Sequence, residues 1–335
     1  MPDLPIPLRP DIAAVEAEHV FAQYVRTLGR GPGKSRALTR EEARTALGMV
    51  LRNQADPHQV GAFLMLLRYR GEDPQEMAGL VEAAREHFGA GLPPGCLPVA
   101  LDWPSYGAGR TRGPPWFLLA ALALARAGHR VLMHGSNEFT RGTAVTHALQ
   151  ELALPVAADP HDAARHLQAH NFAYLPLAHL CPGLDALLRL RSVLGLRSPI
   201  NTAARLLNPF DAAVSVDGVF HPPYIALHLN TVALLGQPRL LVVKGGGGEA
   251  ERNPAKPLTA HIYDQATGTA EMAFDPLPTE PGTEDLVTTW QTGTGPGAAI
   301  ARATIALALV ALRRADSPTE ADTAAQTVWS HRALP

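Results

Sequence analysis

The strongest constraint on the fold is a change of pattern at GAGLPPGCLP, residues 89–98. Ahead of it, residues 11–90 place apolar side chains at helical spacing and hold few β-branched residues. AAVEAEHVFAQYVRTLG (13–29), TREEARTALGMVLRNQ (39–54), HQVGAFLMLLRYRG (58–71) and DPQEMAGLVEAAREHFG (73–89) each read as a helix. Thr39 with Glu42 three residues on is a capping-box signature, and nearby glycines suit the helix ends. Behind the break, strand-like VALDW (99–103), RVLMHG (130–135), FAYLPL (172–177) and RLLVVKG (239–245) alternate with helices. HIYDQATGTAEMAF (261–274) reads as a hairpin, and a helix over 297–315 is expected to close the chain. The expected fold class is α/β: a small N-terminal all-helical domain, 1–92, then a larger α/β domain, 93–335, with a mainly parallel sheet. The cleft between two such domains is the default ligand site.

The formal net charge is −2, so no global basicity advertises a nucleic-acid partner, and any polyanion site must come from local clustering. Two segments do cluster. Residues 26–44 carry Arg26, Arg30, Lys34, Arg36, Arg40 and Arg44 against Glu41 and Glu42, and residues 104–143 carry Arg110, Arg112, Arg126, Arg130 and Arg141 against Glu138. The two cysteines, Cys96 and Cys181, form no CxxC pattern, which fits a reduced, cytoplasmic location. The N-terminus lacks the apolar core of a signal peptide, and the apolar runs are too short or too interrupted by Arg to span a bilayer, so no membrane partner is expected. No GxSxG motif occurs. His166 and His170 lie four apart near His161, without a third ligand at regular spacing, and read as surface histidines. KGGGGEAERNP (244–254) is not a Walker A loop, because Lys244 precedes the glycines.

In open α/β sheets ligands sit outside the carboxyl ends of the strands, which singles out PSYGAGRTRGP (104–114), HGSNEFTRGT (134–143) and KGGGGEAERNP. With LRSPINTAARLLNP (196–209), the order and spacing of these segments resemble anthranilate phosphoribosyltransferase and its superfamily, glycosyltransferase family 3, over nearly the whole chain. The resemblance implies a phosphoribosyl pyrophosphate site with Mg²⁺, and the sequence departs from it at each part. The family's Gly-Thr-Gly-Gly-Asp loop falls on Ser105, Tyr106, Gly107, Ala108 and Gly109, followed by Arg110. Its Asn-x-Ser-Thr falls on Pro115, Trp116, Phe117 and Leu118. Its lysine before His134-Gly135 is Met133, and the asparagine after them is Ser136. Its two acids for Mg²⁺ and pyrophosphate fall on Ala250 and Glu251, so Glu251 is the one candidate catalytic remnant. No cofactor is expected, with Mg²⁺ only if a phosphoribosyl donor binds.

The departures are similar to the divergent YbiB-like branch of the superfamily. The segments that carry this likeness are LGRGPGKSRALTREEAR (28–44), the Pro-Ser-Tyr loop, the His-Gly loop and the Lys-Gly…Glu-Arg-Asn-Pro segment. That likeness implies a homodimer joined through the helical domains, binding single- or double-stranded nucleic acid without strong sequence preference. The residues placed on that site are Lys34, Arg36, Tyr106, Gly107, Arg110, Arg112, His134, Gly135, Arg141, Arg197, Arg205 and Lys244. Tyr106 and Trp116 are the candidate base-stacking rings, although Trp116 opens an apolar helix and reads more readily as core. Two other readings stay open: a glycosyltransferase or phosphoribosyltransferase with altered donor or acceptor, and a binder of anionic metabolites without turnover.

Overall fold

The computed structural model describes residues 18–31, 33–107, 113–278 and 285–332. The chain opens with helices α1 (Ala22–Gly29), α2 (Arg40–Leu51), α3 (Pro57–Arg70) and α4 (Pro74–Phe88). Local chemistry sets their ends. Thr39 and Glu42 form the expected capping box, Asp56 and Gln59 form a second one, and Asp73 accepts from the Gln75 and Glu76 amides. The described part of the first helix begins at Ala22, later than its apolar pattern suggests; residues 13–17 lie outside the described residues. α2 and α4 touch backbone to backbone at Gly79, where a Cβ would meet the Arg40 carbonyl at 2.1 Å. Ion pairs from Arg40 to Glu82 and from Arg44 to Glu86 fasten the same two helices.

Seven strands follow: β1 (Leu101–Ser105), β2 (Val131–Gly135), β3 (Phe172–Pro176), β4 (Val214–Val219), β5 (Arg239–Lys244), β6 (Leu258–Asp264) and β7 (Gly268–Phe274). They form one sheet in the order β3-β2-β1-β4-β5-β6-β7. β1 to β5 run parallel, while β6 and β7 are the antiparallel hairpin read from the sequence. The parallel strands bury both faces, which is why they read as continuous apolar runs. Leu132, Ala173, Leu175, Leu240 and Val242 face the core shared with α1–α4. Their neighbours Met133, Tyr174, Leu241 and Val243 face a second core with the helices Trp116–Arg126, Pro296–Ala311 and Pro318–Ser330. Among the described residues, no single helix is long and apolar enough to cross a membrane.

Several elements escaped the sequence reading, two of which matter most here. β4, the central strand, was hidden because Ser215, Asp217 and Gly218 interrupt its apolar run. The helix over 297–315 does not close the chain: Pro296–Ala311 is followed by a further helix, Pro318–Ser330, capped by Ser317 on the Glu320 amide. Beyond β3, the short helices between Leu177 and Ala203 return to the bundle. Leu180, Leu184, Leu188, Ile200 and Ala203 share the core of α1–α4. The walls of the cleft are thus built from chain segments far apart in sequence.

Candidate functional site

The strand order reverses between β1 and β4, the position at which open α/β sheets hold ligands. These two strands pair at a single point, Asp102 with Ser215, whereas β1 pairs with β2 along its whole length. Their carboxyl ends therefore diverge. A cavity of about 420 Å³ opens there, bounded by the bundle on one side and by the ends of β1, β4 and β5 on the other.

Arg68, Arg191, Arg197 and Arg205 all line this cavity, and Glu72 is the one carboxylate among its described lining residues. Arg68 hydrogen-bonds the Tyr224 hydroxyl at 2.5 Å and approaches Glu72 at 3.4 Å. Thr202 donates to the other Glu72 oxygen at 3.2 Å. Arg205 is nearly buried, donating to Asp217 Oδ1 at 3.0 Å and to the Tyr106 carbonyl at 3.0 Å. Arg197 has no carboxylate partner among the described residues. Burial, and then the neighbouring guanidiniums of Arg191, Arg205 and Arg68, push its pKa below the usual arginine value. A positive charge held against other positive charges favours an anion in the space between them.

Two buried polar chains support the cavity floor. Asp217, fully buried on β4, also lies 2.7 Å from His228 Nδ1, and His228 lines the cavity from the helix Pro223–Leu235. In the second, the Tyr106 hydroxyl contacts His134 Nδ1 at 2.9 Å, and His134 Nε2 lies 3.3 Å from Asp102 Oδ1 without a hydrogen bond between them. Ser215 then donates to Asp102 Oδ2 at 3.0 Å and receives from Gln237 at 2.7 Å. Burial pushes the Tyr106 hydroxyl well above its usual pKa.

The glycine loop after β5 has a different role. The Glu249 carbonyl packs so closely that a Cβ at Gly245 would meet it at 1.5 Å and one at Gly218 at 2.2 Å. Gly247 and Gly248 hold positive φ, which keeps the loop tight. Ala250 is buried in the second core. Pro115 offers no capping side chain to the helix Trp116–Arg126, and the Glu251 carboxylate accepts the Phe117 amide there at 3.0 Å. The carboxylate thus sits at a helix N-terminus, where an anion is favoured. Phe117 and Leu118 are core residues and bring no hydroxyl to the site. These residues do not form the two-carboxylate Mg²⁺ clamp, and no described His, Cys, Asp or Glu residues gather in a group of three.

The residues singled out from the sequence divide accordingly. Tyr106, Arg197 and Arg205 come together at the cavity, and His134 lies buried behind Tyr106. Gly107 is buried beyond Tyr106, and its carbonyl accepts from Thr140 at 3.3 Å. Gly135 ends β2 so close to β1 that a Cβ would meet the Ser105 carbonyl at 2.0 Å. Arg141, Lys244 and Lys34 are exposed and do not line the cavity. Arg36 is held by both oxygens of Glu42 at 2.6 Å. Arg110 and Arg112 lie outside the described residues. Trp116 is core, with its ring against Gly297, and Tyr106 is only 5% exposed, so neither ring is open for stacking. Most of the basic segment 26–44 is neutralised by acids: Arg26 by Glu18, Arg40 by Glu82, and Arg44 by Glu41 and Glu86. Sequence reasoning missed Arg68, Glu72, Arg191, Asp217, Phe220, Tyr224 and His228. HPPY at the start of the helix Pro223–Leu235, directly after a strand, was the one local signal available for part of this set.

Residues 22–88 match the helical bundle domain of a glycosyl transferase family, and residues 117–283 match the a/b domain of the same family. The chain is 28% identical to the uncharacterized protein YbiB of Escherichia coli (strain K12) over 247 residues, 73% of this chain and 77% of that protein. It is 30% identical to the anthranilate phosphoribosyltransferase of Oleidesulfovibrio alaskensis over 256 residues, covering 76% and 75% of the two chains. The crystal structure of anthranilate phosphoribosyltransferase (TrpD) from Thermus thermophilus shares the fold, with a TM-score of 0.76 and 22% identity over 94% of this chain and 95% of that one. With both domains matched in order and the two-domain cleft in place, this chain belongs to the glycosyl transferase family that includes anthranilate phosphoribosyltransferase.

Proposed function

We propose that this chain is an atypical member of its family that binds nucleic acid through the arginine-lined cleft and does not carry out ordinary phosphoribosyl transfer. The observation that carries the reading is the convergence of Arg68, Arg191, Arg197 and Arg205 on one cavity with a single described lining carboxylate, Glu72. Guanidinium groups match phosphate in planar, two-pronged hydrogen bonds, and a partly enclosed site strengthens them. The helix terminus at Phe117 supports the second half of the reading, because Glu251 already accepts the Phe117 amide where the family's phosphate-binding hydroxyls would stand. A homodimer joined through the helical bundles belongs to the same proposal.

Titration of the protein with labelled single-stranded DNA at several salt concentrations tests it. Binding at low salt should weaken with a log–log slope of roughly 0.7 for each phosphate neutralised. No binding at low salt, or binding indifferent to salt, removes the proposal. Light scattering that gives the mass of one chain removes the dimer alone.

The confined volume and the polar lining groups Asn201, Thr202 and His228 favour a second reading: a transferase with altered donor or acceptor. Here Mg²⁺ would enter with the donor. Incubation with phosphoribosyl pyrophosphate, Mg²⁺ and anthranilate, followed by pyrophosphate assay, decides it. Turnover that disappears in Glu251→Ala would rank this reading first.

A further inference from the structure

Phe220 follows β4 directly, lines the same cavity and is 47% exposed. The other rings of the cavity are engaged: Tyr106 is buried on His134, and the Tyr224 hydroxyl is held by Arg68. A large aromatic ring left open beside several guanidiniums offers a π-face next to positive charge. Among the described residues its ring contact is His221, edge to face at 4.8 Å between centroids, so at least one face of Phe220 is free of His221. Phe220 and Arg205 flank Gly248 closely. A Cβ at Gly248 would stand 3.4 Å from Arg205 Nη2 and 3.7 Å from Phe220 Cβ. The positive φ of Gly248 and the missing side chain leave that corner of the cavity open.

We propose that Phe220 is a stacking platform for an unpaired nucleobase, placed so that the attached phosphate reaches the arginines of the cleft. The proposal rests on the nucleic-acid reading and adds to it a base-dependent contact. Every base offers a π-face, so such a platform adds affinity without sequence preference. An unpaired base can turn one face onto Phe220, whereas a base inside a duplex has both faces covered by its neighbours. The charge contacts alone would hold any phosphate backbone, with or without bases.

Fluorescence anisotropy at low salt separates the two contributions. The probes are a labelled oligothymidylate and an abasic strand of the same length and charge. The unmodified protein should bind the base-bearing strand about tenfold more tightly than the abasic one. Phe220→Ala should lose that ratio by weakening the base-bearing strand alone, and Phe220→Tyr should keep it. Because Phe220 is exposed, both variants are expected to retain the circular dichroism of the parent. Equal binding of the two strands by the unmodified protein overturns the platform and leaves the nucleic-acid reading standing. So does a Phe220→Ala variant that weakens both strands alike or neither. Failure to bind either strand at low salt overturns both.

Discussion

At the bundle end of the cleft, four guanidiniums line a cavity whose one described lining carboxylate is Glu72, and Arg197 has no acid of its own among the described residues. At the glycine-loop end, a carboxylate of the chain itself already sits on the helix amide of Phe117. One end is charged and open, the other satisfied from within. Under the proposed function, the same scaffold attracts anions at one end and holds no donor pyrophosphate at the other. Charge alone does not distinguish the ends, since both sit where electrostatics favours a negative group. What differs is whether the protein supplies that group.

The largest expected effect comes from breaking the support of the open end. Asp217→Ala leaves the nearly buried Arg205 and the buried His228 without their carboxylate. Removing one partner of a buried pair costs about 3–5 kcal/mol, readable by chemical denaturation. A loss under about 1 kcal/mol would show that Arg205 does not depend on Asp217.

A buried acid elsewhere provides a contrast. The Glu76 carboxylate on α4 accepts the Leu38 amide at 2.6 Å, and burial pushes its pKa from 4.5 up to about 7. The folded state therefore holds a proton that the unfolded state releases between those values. Stability should fall as pH rises through that window and level off above it. Glu76→Gln should flatten this dependence and gain about 2–3 kcal/mol at pH 8. If urea midpoints of parent and variant change in parallel with pH, Glu76 is not the group responsible.

Next in size, Arg197→Ala should weaken single-stranded DNA about tenfold and lower the salt slope by roughly 0.7. Arg36→Ala should change neither, because Glu42 already neutralises that side chain. Similar losses in the two variants would erase the distinction between the cleft and the bundle surface.

The smallest effect belongs to the sealed end. Glu251→Gln keeps the acceptor for Phe117 but removes a negative charge from the helix terminus, worth about 0.3–1 kcal/mol. Thermal melts should shift slightly downward while DNA affinity stays unchanged. Tighter DNA binding in this variant would mean that the two ends of the cleft communicate.

Much of this architecture was legible because its signals are local. Thr39 with Glu42 and the apolar runs of β1, β2, β3 and β5 require only neighbours in sequence. β4 was not legible, because Ser215 and Asp217 look like surface residues until Gln237, Asp102, Arg205 and His228 are brought against them. The cleft shows the same divide. Arg197 and Arg205 lie in a segment with a recognisable order, whereas Arg68 and Glu72 read as the polar end of an amphipathic helix. Only the fold carries them to Tyr224 and Thr202, more than a hundred residues away. Counting basic residues over 26–44 misled for a related reason: the acids at Glu82 and Glu86 that neutralise Arg40 and Arg44 lie one helix pair later.

Glu251 has a structural consequence as well. A donor site of the family's kind would require an acid at Ala250, a hydroxyl near Phe117 and a Glu251 carboxylate turned away from the helix amide. Taken singly, the first buries an unpaired charge, the second opens a void in the core, and the third leaves a helix amide bare. Each step lowers stability before any ligand can bind. Under the proposed function, the fold acts as a ratchet: changes among the arginines leave the core untouched, whereas a donor site at the glycine loop costs stability at every step.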